Sequence, residues 1–109
     1  MATIDEFREL ALSFSGTEEK PHFDRAAFKV VGKRIFVTLH EKSLSANLKL
    51  PLADQSVFCD FGDAIYPVPN KWGEQGWTSF ELEKIPNGLL LNALEIAYND
   101  VINSKKKNR

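Results

Sequence analysis

From Ala26 to Leu50 the chain reads AAFKVVGKRIFVTLHEKSLSANLKL, and its apolar residues recur at alternate positions. Ala26, Phe28 and Val30 share one side. Ile35, Val37 and Leu39 take that side again after a Gly32-Lys33 turn, as do Ala46, Leu48 and Leu50. The intervening positions are mixed: Lys29, then Phe36, Thr38 and His40, then Ser45, Asn47 and Lys49. A period of two sends successive side chains to opposite faces of a sheet. The stretch therefore specifies three consecutive strands with one buried face and one face open to water or a partner. A Gly-X pair suits a two-residue hairpin, because glycine supplies the positive φ of a type II′ turn.

The flanking segments supply the apolar surface that such a sheet needs. Thr3 with Glu6 is a capping-box pattern that starts a helix at residue 3. Ile4, Phe7, Leu10, Ala11 and Phe14 give that helix one apolar side, and Gly16 is its natural stop. Residues 17–25, TEEKPHFDR, read as a polar connection into the first strand. Pro51 opens a short helix over 52–60, with Leu52 and Phe58 turned inward and Val57 a third candidate for that side. Residues 65–68 form a short strand edged by Pro67 and Pro69, and 70–76, NKWGEQG, form a loop. Over 77–82, Thr78, Phe80 and Leu82 alternate with Trp77, Ser79 and Glu81, which leaves Trp77 on the open face. A last helix runs from Pro86 to about Asn103 with Leu90, Leu94, Ala97 and Val101 as its stripe, followed by the basic tail SKKKNR. The expected fold is α+β: one domain over 1–109 with a core of about 3–103, and an antiparallel sheet with the N- and C-terminal helices packed on one face.

Composition narrows the chemistry. A chain of 109 residues, 43% hydrophobic and 27% charged, is in the range of an ordinary globular domain. A net charge of −1 lacks the strong basic excess of many phosphate binders, so any such contact has to come from a local patch. The single cysteine, Cys59, has no internal disulfide partner, which fits a reducing cytoplasm. No apolar run has the length of a membrane span, and MATIDEFREL lacks the pattern of a secretion signal. His22, His40 and Cys59 are isolated in sequence and fall on different elements, so no metal and no cofactor are expected. On this reading His22 is a loop residue bonded to backbone, His40 lies on the solvent face of a strand, and Cys59 is an inert buried thiol. The acidic group Asp5, Glu6, Glu9, Glu18 and Glu19 reads as a solvated face, with a docking ridge for metal or protein as the alternative. No GxSxG, P-loop or dinucleotide fingerprint is present, and an enzyme is not expected.

The open sheet face carries the functional expectation. Lys29, Phe36, His40, Lys49 and Trp77 share it, with Lys20, Arg25, Lys71 and Trp72 at its rim. Aromatic rings interleaved with cations form a stacking platform for bases, or a cation–π surface for another ligand. The competing reading is that the 70–76 loop or another subunit covers Phe36 and Trp77 as a second small core.

Three blocks give the chain a resemblance: EEKPHFDRAAFKVVGKRIFVTL (18–39), NLKL (47–50) and YPVPNKWGEQGWTSFEL (66–82). Together they resemble the MmcQ/YjbR family of small bacterial domains over about residues 3–103, and the NK-W-G-x-Q-GWT block is the most specific part. The resemblance implies an antiparallel α+β fold similar to CyaY and the type III secretion chaperones. It also implies DNA binding through a double-wing arrangement, with contacts at Lys20, His22, Arg25, Lys71, Trp72 and Trp77. With the open face added, the candidate contact residues are Lys20, His22, Arg25, Lys29, Phe36, Lys49, Lys71, Trp72 and Trp77. The expected function is a non-catalytic domain that binds DNA or another nucleic acid. The alternative is a protein-interaction or small-ligand module using the same face.

Overall fold

Thr3 and Glu6 form the expected cap: Glu6 N donates to Thr3 Oγ1 at 3.1 Å, and Thr3 N donates to Glu6 Oε1 at 2.9 Å. The computed structural model describes residues 3–103, so the basic tail lies outside the described residues. In chain order the elements are α1 (Ile4–Leu12), β1 (Thr17–His22), β2 (Arg25–Val30), β3 (Ile35–His40), β4 (Ser45–Lys49) and α2 (Leu52–Cys59). There follow β5 (Ile65–Pro67), α3 (Lys71–Glu74), β6 (Trp77–Glu81), a 3-10 turn at Leu82–Lys84, and α4 (Asn87–Asn103). The strands make one antiparallel sheet in the order β1-β2-β3-β4-β6-β5. Pro21 lies in one edge strand and Pro67 in the other.

The helices α1, α2 and α4 cover one face. Phe7 and Ala11 of α1, Phe58 of α2, and Leu90, Leu94 and Ala97 of α4 form one core with Phe28, Val37, Leu39, Leu48 and Phe80 of the sheet. The other face carries Lys20 and His22 of β1, Arg25 and Lys29 of β2, Thr38 and His40 of β3, Asn47 and Lys49 of β4, and Trp77, Ser79 and Glu81 of β6, as the registers require.

Strict alternation fails at one place in β3. Phe28 pairs with Val37, but the next β2 residue, Lys29, pairs with Ile35, which leaves Phe36 as a surplus residue. Such a β-bulge lets two successive side chains take the same face. Phe36 is 0% exposed and meets Phe14 and Tyr98 edge-on, with ring centroids 6.5 and 5.8 Å away. The expectation that Phe36 lies on the open face is therefore corrected. Ile35, expected inside, takes the open side beside Lys29.

Residues 17–25 are also corrected from a connection to a hairpin: Thr17 pairs with Val30 and His22 with Arg25, leaving Phe23 and Asp24 as a two-residue loop. The strand hid because its inward position Glu19 is met by charge. Arg8 Nε donates to Glu19 Oε1 at 2.9 Å, and Arg8 Nη2 donates to Glu41 Oε2 at 2.7 Å. The β2–β3 connection is longer than the expected Gly32-Lys33 pair. Lys33 N donates to Val30 O at 2.8 Å, and Gly32, with φ +81°, is the third residue of that turn. In α2, Leu52 and Val57 are exposed, while Gln55 and Phe58 point inward.

The bulge sets opposite stakes for two neighbours. Phe36→Ala should cost about 3–5 kcal/mol as a core truncation, whereas Ile35→Ala on the half-open face should cost about 1 kcal/mol. Urea unfolding of the two variants measures this, and the reverse ranking would contradict the register.

Candidate functional site

The chain leaves β5 at Pro67 and must re-enter the sheet as β6 at Trp77, and the NKWGEQGWT segment is built to make that return. Val68 N donates to Trp77 O at 3.0 Å, closing the neck of the loop. Asn70 Oδ1 accepts from Trp72 N at 2.8 Å and so caps the single turn of α3, which corrects the expectation of a plain loop. Gly73 is pressed on the β5 exit, where an added Cβ would stand 2.0 Å from Val68 O. Gly76 has φ +111°, and a Cβ there would stand 2.0 Å from Leu50 O. Its carbonyl accepts from Leu50 N at 3.0 Å and from Thr78 Oγ1 at 2.9 Å.

Gln55 fastens this loop to the helical layer. Its buried Nε2 donates toward Gly73 O at 3.0 Å, Trp77 O at 3.2 Å and Thr78 Oγ1 at 3.1 Å. Most of the motif is thus backbone architecture. To solvent it presents the polar side chains of Asn70, Lys71, Glu74 and Gln75 together with two indoles, Trp72 exposed on α3 and Trp77 half-buried on β6.

Both indoles line a groove of about 470 Å³ on the open face. Ile35 and Val68 add apolar wall, and Thr38 and Asn47 add polar floor. The far wall comes from the β1–β2 hairpin, through His22, Phe23 and Arg25. Arg25 Nη1 is buried and has no hydrogen-bond partner among the described residues. The floor is itself fixed, since Ser79 Oγ donates to Asn47 Oδ1 at 2.7 Å.

The hairpin is braced from the end of β3. His40 Nε2 lies 3.2 Å from Asp24 Oδ2, and His40 Nδ1 lies 2.6 Å from Ser43 Oγ. The Asp24 carboxyl is held below the usual range, first by a hydrogen bond from its own backbone amide and then by the His40 ring. At the opposite border Glu81, a carboxylate that opposes anion binding, is engaged by Lys84 Nζ at 2.9 Å. Lys84 first and the Tyr66 hydroxyl second hold the Glu81 carboxyl below its ordinary value.

Of the residues chosen from sequence, His22, Arg25, Trp72 and Trp77 converge on the groove. Lys20, Lys29 and Lys49 surround it on the same face, opposite Ala27, Ile35 and Trp77 in the registers. Lys71 is exposed on α3 and outside the lining, and Phe36 lies on the opposite face within the core. His22 is a strand residue on the open face, which corrects its reading as a loop residue. Sequence reasoning missed Phe23, Ile35, Thr38, Asn47 and Val68 as groove residues. Thr38 and Asn47 follow from the alternation, and a tight turn at Phe23-Asp24 was signalled only by Asp24. Among the described residues, no group of three His, Cys, Asp or Glu side chains stands together as a metal site.

The YjbR family model matches residues 12–100. The chain belongs to the YjbR family. The YjbR match runs through both walls of the groove, from His22 to Trp77. No curated protein matches the sequence. Among solved structures, the crystal structure of the Deinococcus radiodurans protein DR2400, which carries a DUF419 domain, is similar, with a TM-score of 0.82 at 23% identity. The alignment covers 100% of this YjbR chain and 86% of that one, and the likeness is one of fold. No helix among the described residues is long and apolar enough to cross a membrane.

Gly76 in the loop and Gly88 in the first turn of α4 carry a stability prediction for this YjbR domain. Gly76→Ala meets both a left-handed φ and a carbonyl, so it should cost about 2–4 kcal/mol. Gly88→Ala, with nothing within 4 Å of its Cβ, should change stability by less than about 1 kcal/mol, in the stabilising direction. Chemical denaturation of both variants separates a glycine that the loop requires from a helical one that tolerates a methyl group.

Proposed function

We propose that this chain is a non-catalytic binding domain that holds nucleic acid against the open sheet face, with unpaired bases stacked on Trp72 and Trp77. One observation carries the reading: a single groove joins two indoles to Arg25, a cation with an unpartnered buried donor. Stacking tolerates any base, because every base has a π-face, and a guanidinium supplies paired donors to a phosphate. A recess walled by rings favours splayed single strands, since duplex bases keep their faces stacked together. Lys29 and Lys49 add positive charge beside the groove, while Lys20 is ion-paired with Glu18 at 3.9 Å.

Two features support a non-catalytic role. Asp24, His40 and Ser43 form a hydrogen-bonded row, but Asp24 sits on a turn with its side chain 73% exposed. A triad carboxylate works buried, where it orients and stabilises the imidazolium, so this row serves as a brace. The Cys59 thiol is pushed above its ordinary pKa, mainly by burial, which reduces its thiolate fraction at neutral pH. A protein-interaction or small-ligand module is the alternative, favoured by the apolar walls Ile35 and Val68, and it predicts binding that ignores salt.

Fluorescence anisotropy with labelled single- and double-stranded DNA is the test. Single strands should bind better than duplex, and affinity should fall with salt at a log–log slope of about −2 to −3, the signature of three or four phosphate contacts. Trp72→Ala combined with Trp77→Ala should weaken binding by about 10-fold or more. Salt-independent binding, or an unchanged affinity in the double variant, would retire the reading.

A further inference from the structure

The β1–β2 turn holds a phenyl ring in water at a cost to its own backbone. Phe23 has φ +59° and is 95% exposed. In two-residue hairpins the first turn position with positive φ ordinarily goes to glycine, or to asparagine or aspartate, because a bulky side chain is strained there. The ring makes an edge contact with the His22 imidazole at 4.9 Å and otherwise stands out from the domain. Neither local preference nor burial accounts for a phenylalanine at this position. The conformation persists because the turn is held from two sides, by the His22–Arg25 pairing and by Asp24 against His40. Strain of this kind, fixed by its surroundings, is characteristic of sites that meet a ligand.

A second unexplained group lies two residues further on. Arg25 Nη1 is a buried donor with no partner among the described residues, in a class of groups that is nearly always satisfied in folded proteins. Phe23 and Arg25 line the same groove. One ligand unit answers both: a flat ring to lie on the phenyl group, joined through a short linkage to an oxyanion that accepts from the guanidinium. Lys29, next but one after Ala27 on the same side of β2, and Lys20, opposite Ala27 on β1, lie further along the sheet from Arg25. Glu18 lies opposite Lys29 and 3.9 Å from Lys20, so Arg25 is the cation of this strand pair that adjoins the ring. Resting on the nucleic-acid reading of the groove, we infer that the hairpin tip is a one-nucleotide clamp. In it Phe23 stacks on an unpaired base and the Arg25 guanidinium, its Nη1 turned out from beneath the surface, donates to that nucleotide's phosphate.

The clamp makes stability and binding move in opposite directions, which separates it from a structural role. Phe23→Gly relieves the positive φ and removes an exposed ring, so the full-length variant should melt at a higher temperature than the parent. It should also bind fluorescein-labelled oligo(dT) or oligo(rU) at least about 10-fold more weakly by anisotropy at low salt. Phe23→Asn, which tolerates the same φ, should lose binding alike, and Phe23→Trp should keep it. Arg25→Gln should lower the magnitude of the salt slope by nearly one phosphate contact. The two oligomers differ in sugar and show whether the clamp takes DNA, RNA or both. Full affinity in Phe23→Gly and Phe23→Asn, alongside loss in the Trp72 and Trp77 variants, would overturn the clamp and leave the wider reading standing. No binding of either oligomer by the parent chain would bring down both.

Discussion

The division of this sheet into a covered and an open side depends on one surplus residue in β3. A one-residue change of phase moves every later side chain of a strand to the other face. The bulge at Phe36 places that change between Ile35 and Val37, so that Phe36 and Val37 both reach the helical layer. There Phe36 completes a ring cluster with Phe14 and Tyr98, which stack at 4.8 Å, and the Tyr98 hydroxyl donates to Ser15 O at 2.6 Å. The cluster ties the end of the first helical segment to α4 and the sheet. Ile35 takes its place as a groove wall. A phenyl ring there would fill space that the smaller side chain leaves to the recess.

The loop motif shows how little of a recognisable sequence block need be chemical. Asn70, Gly73, Gly76 and Thr78 serve the backbone, through a cap, two close approaches to carbonyls and a hydroxyl bridge. Gln55 reaches them from α2, with its amide beneath Gly73 and Trp77. Polar atoms buried in this way must be paired, and the Gln55 amide is met by Gly73 O, Trp77 O and Thr78 Oγ1. The backbone that carries the two indoles is then held by a frame that packs into the interior.

What could be read from sequence followed from regular repetition. The capping box at Thr3, the alternation of β2 and β4, the Thr78-Phe80 phase and the stripe of α4 all express a period that burial enforces. Three features resisted for physical reasons. β1 escaped because its inward Glu19 is balanced by Arg8, so no apolar pattern marks it. The phase change at Phe36 left no local sign, since both Ile35 and Phe36 are plausible inside a core. Phe23 was invisible as a turn residue because its backbone conformation runs against its own preference. His22, Arg25, Trp72 and Trp77 were legible by residue type, but their meeting depends on the hairpin and the returning loop, which lie far apart in the chain.

A molecule that keeps rings exposed on a flat surface and ends its sheet in two unclosed borders runs a risk of lateral polymerisation, strand upon strand. Here each border contains an imino acid, Pro21 at one margin and Pro67 at the other, and neither can offer an amide hydrogen to an incoming chain. Growth by templated pairing is interrupted on both flanks. The open face can therefore stay uncovered without either margin templating a further strand.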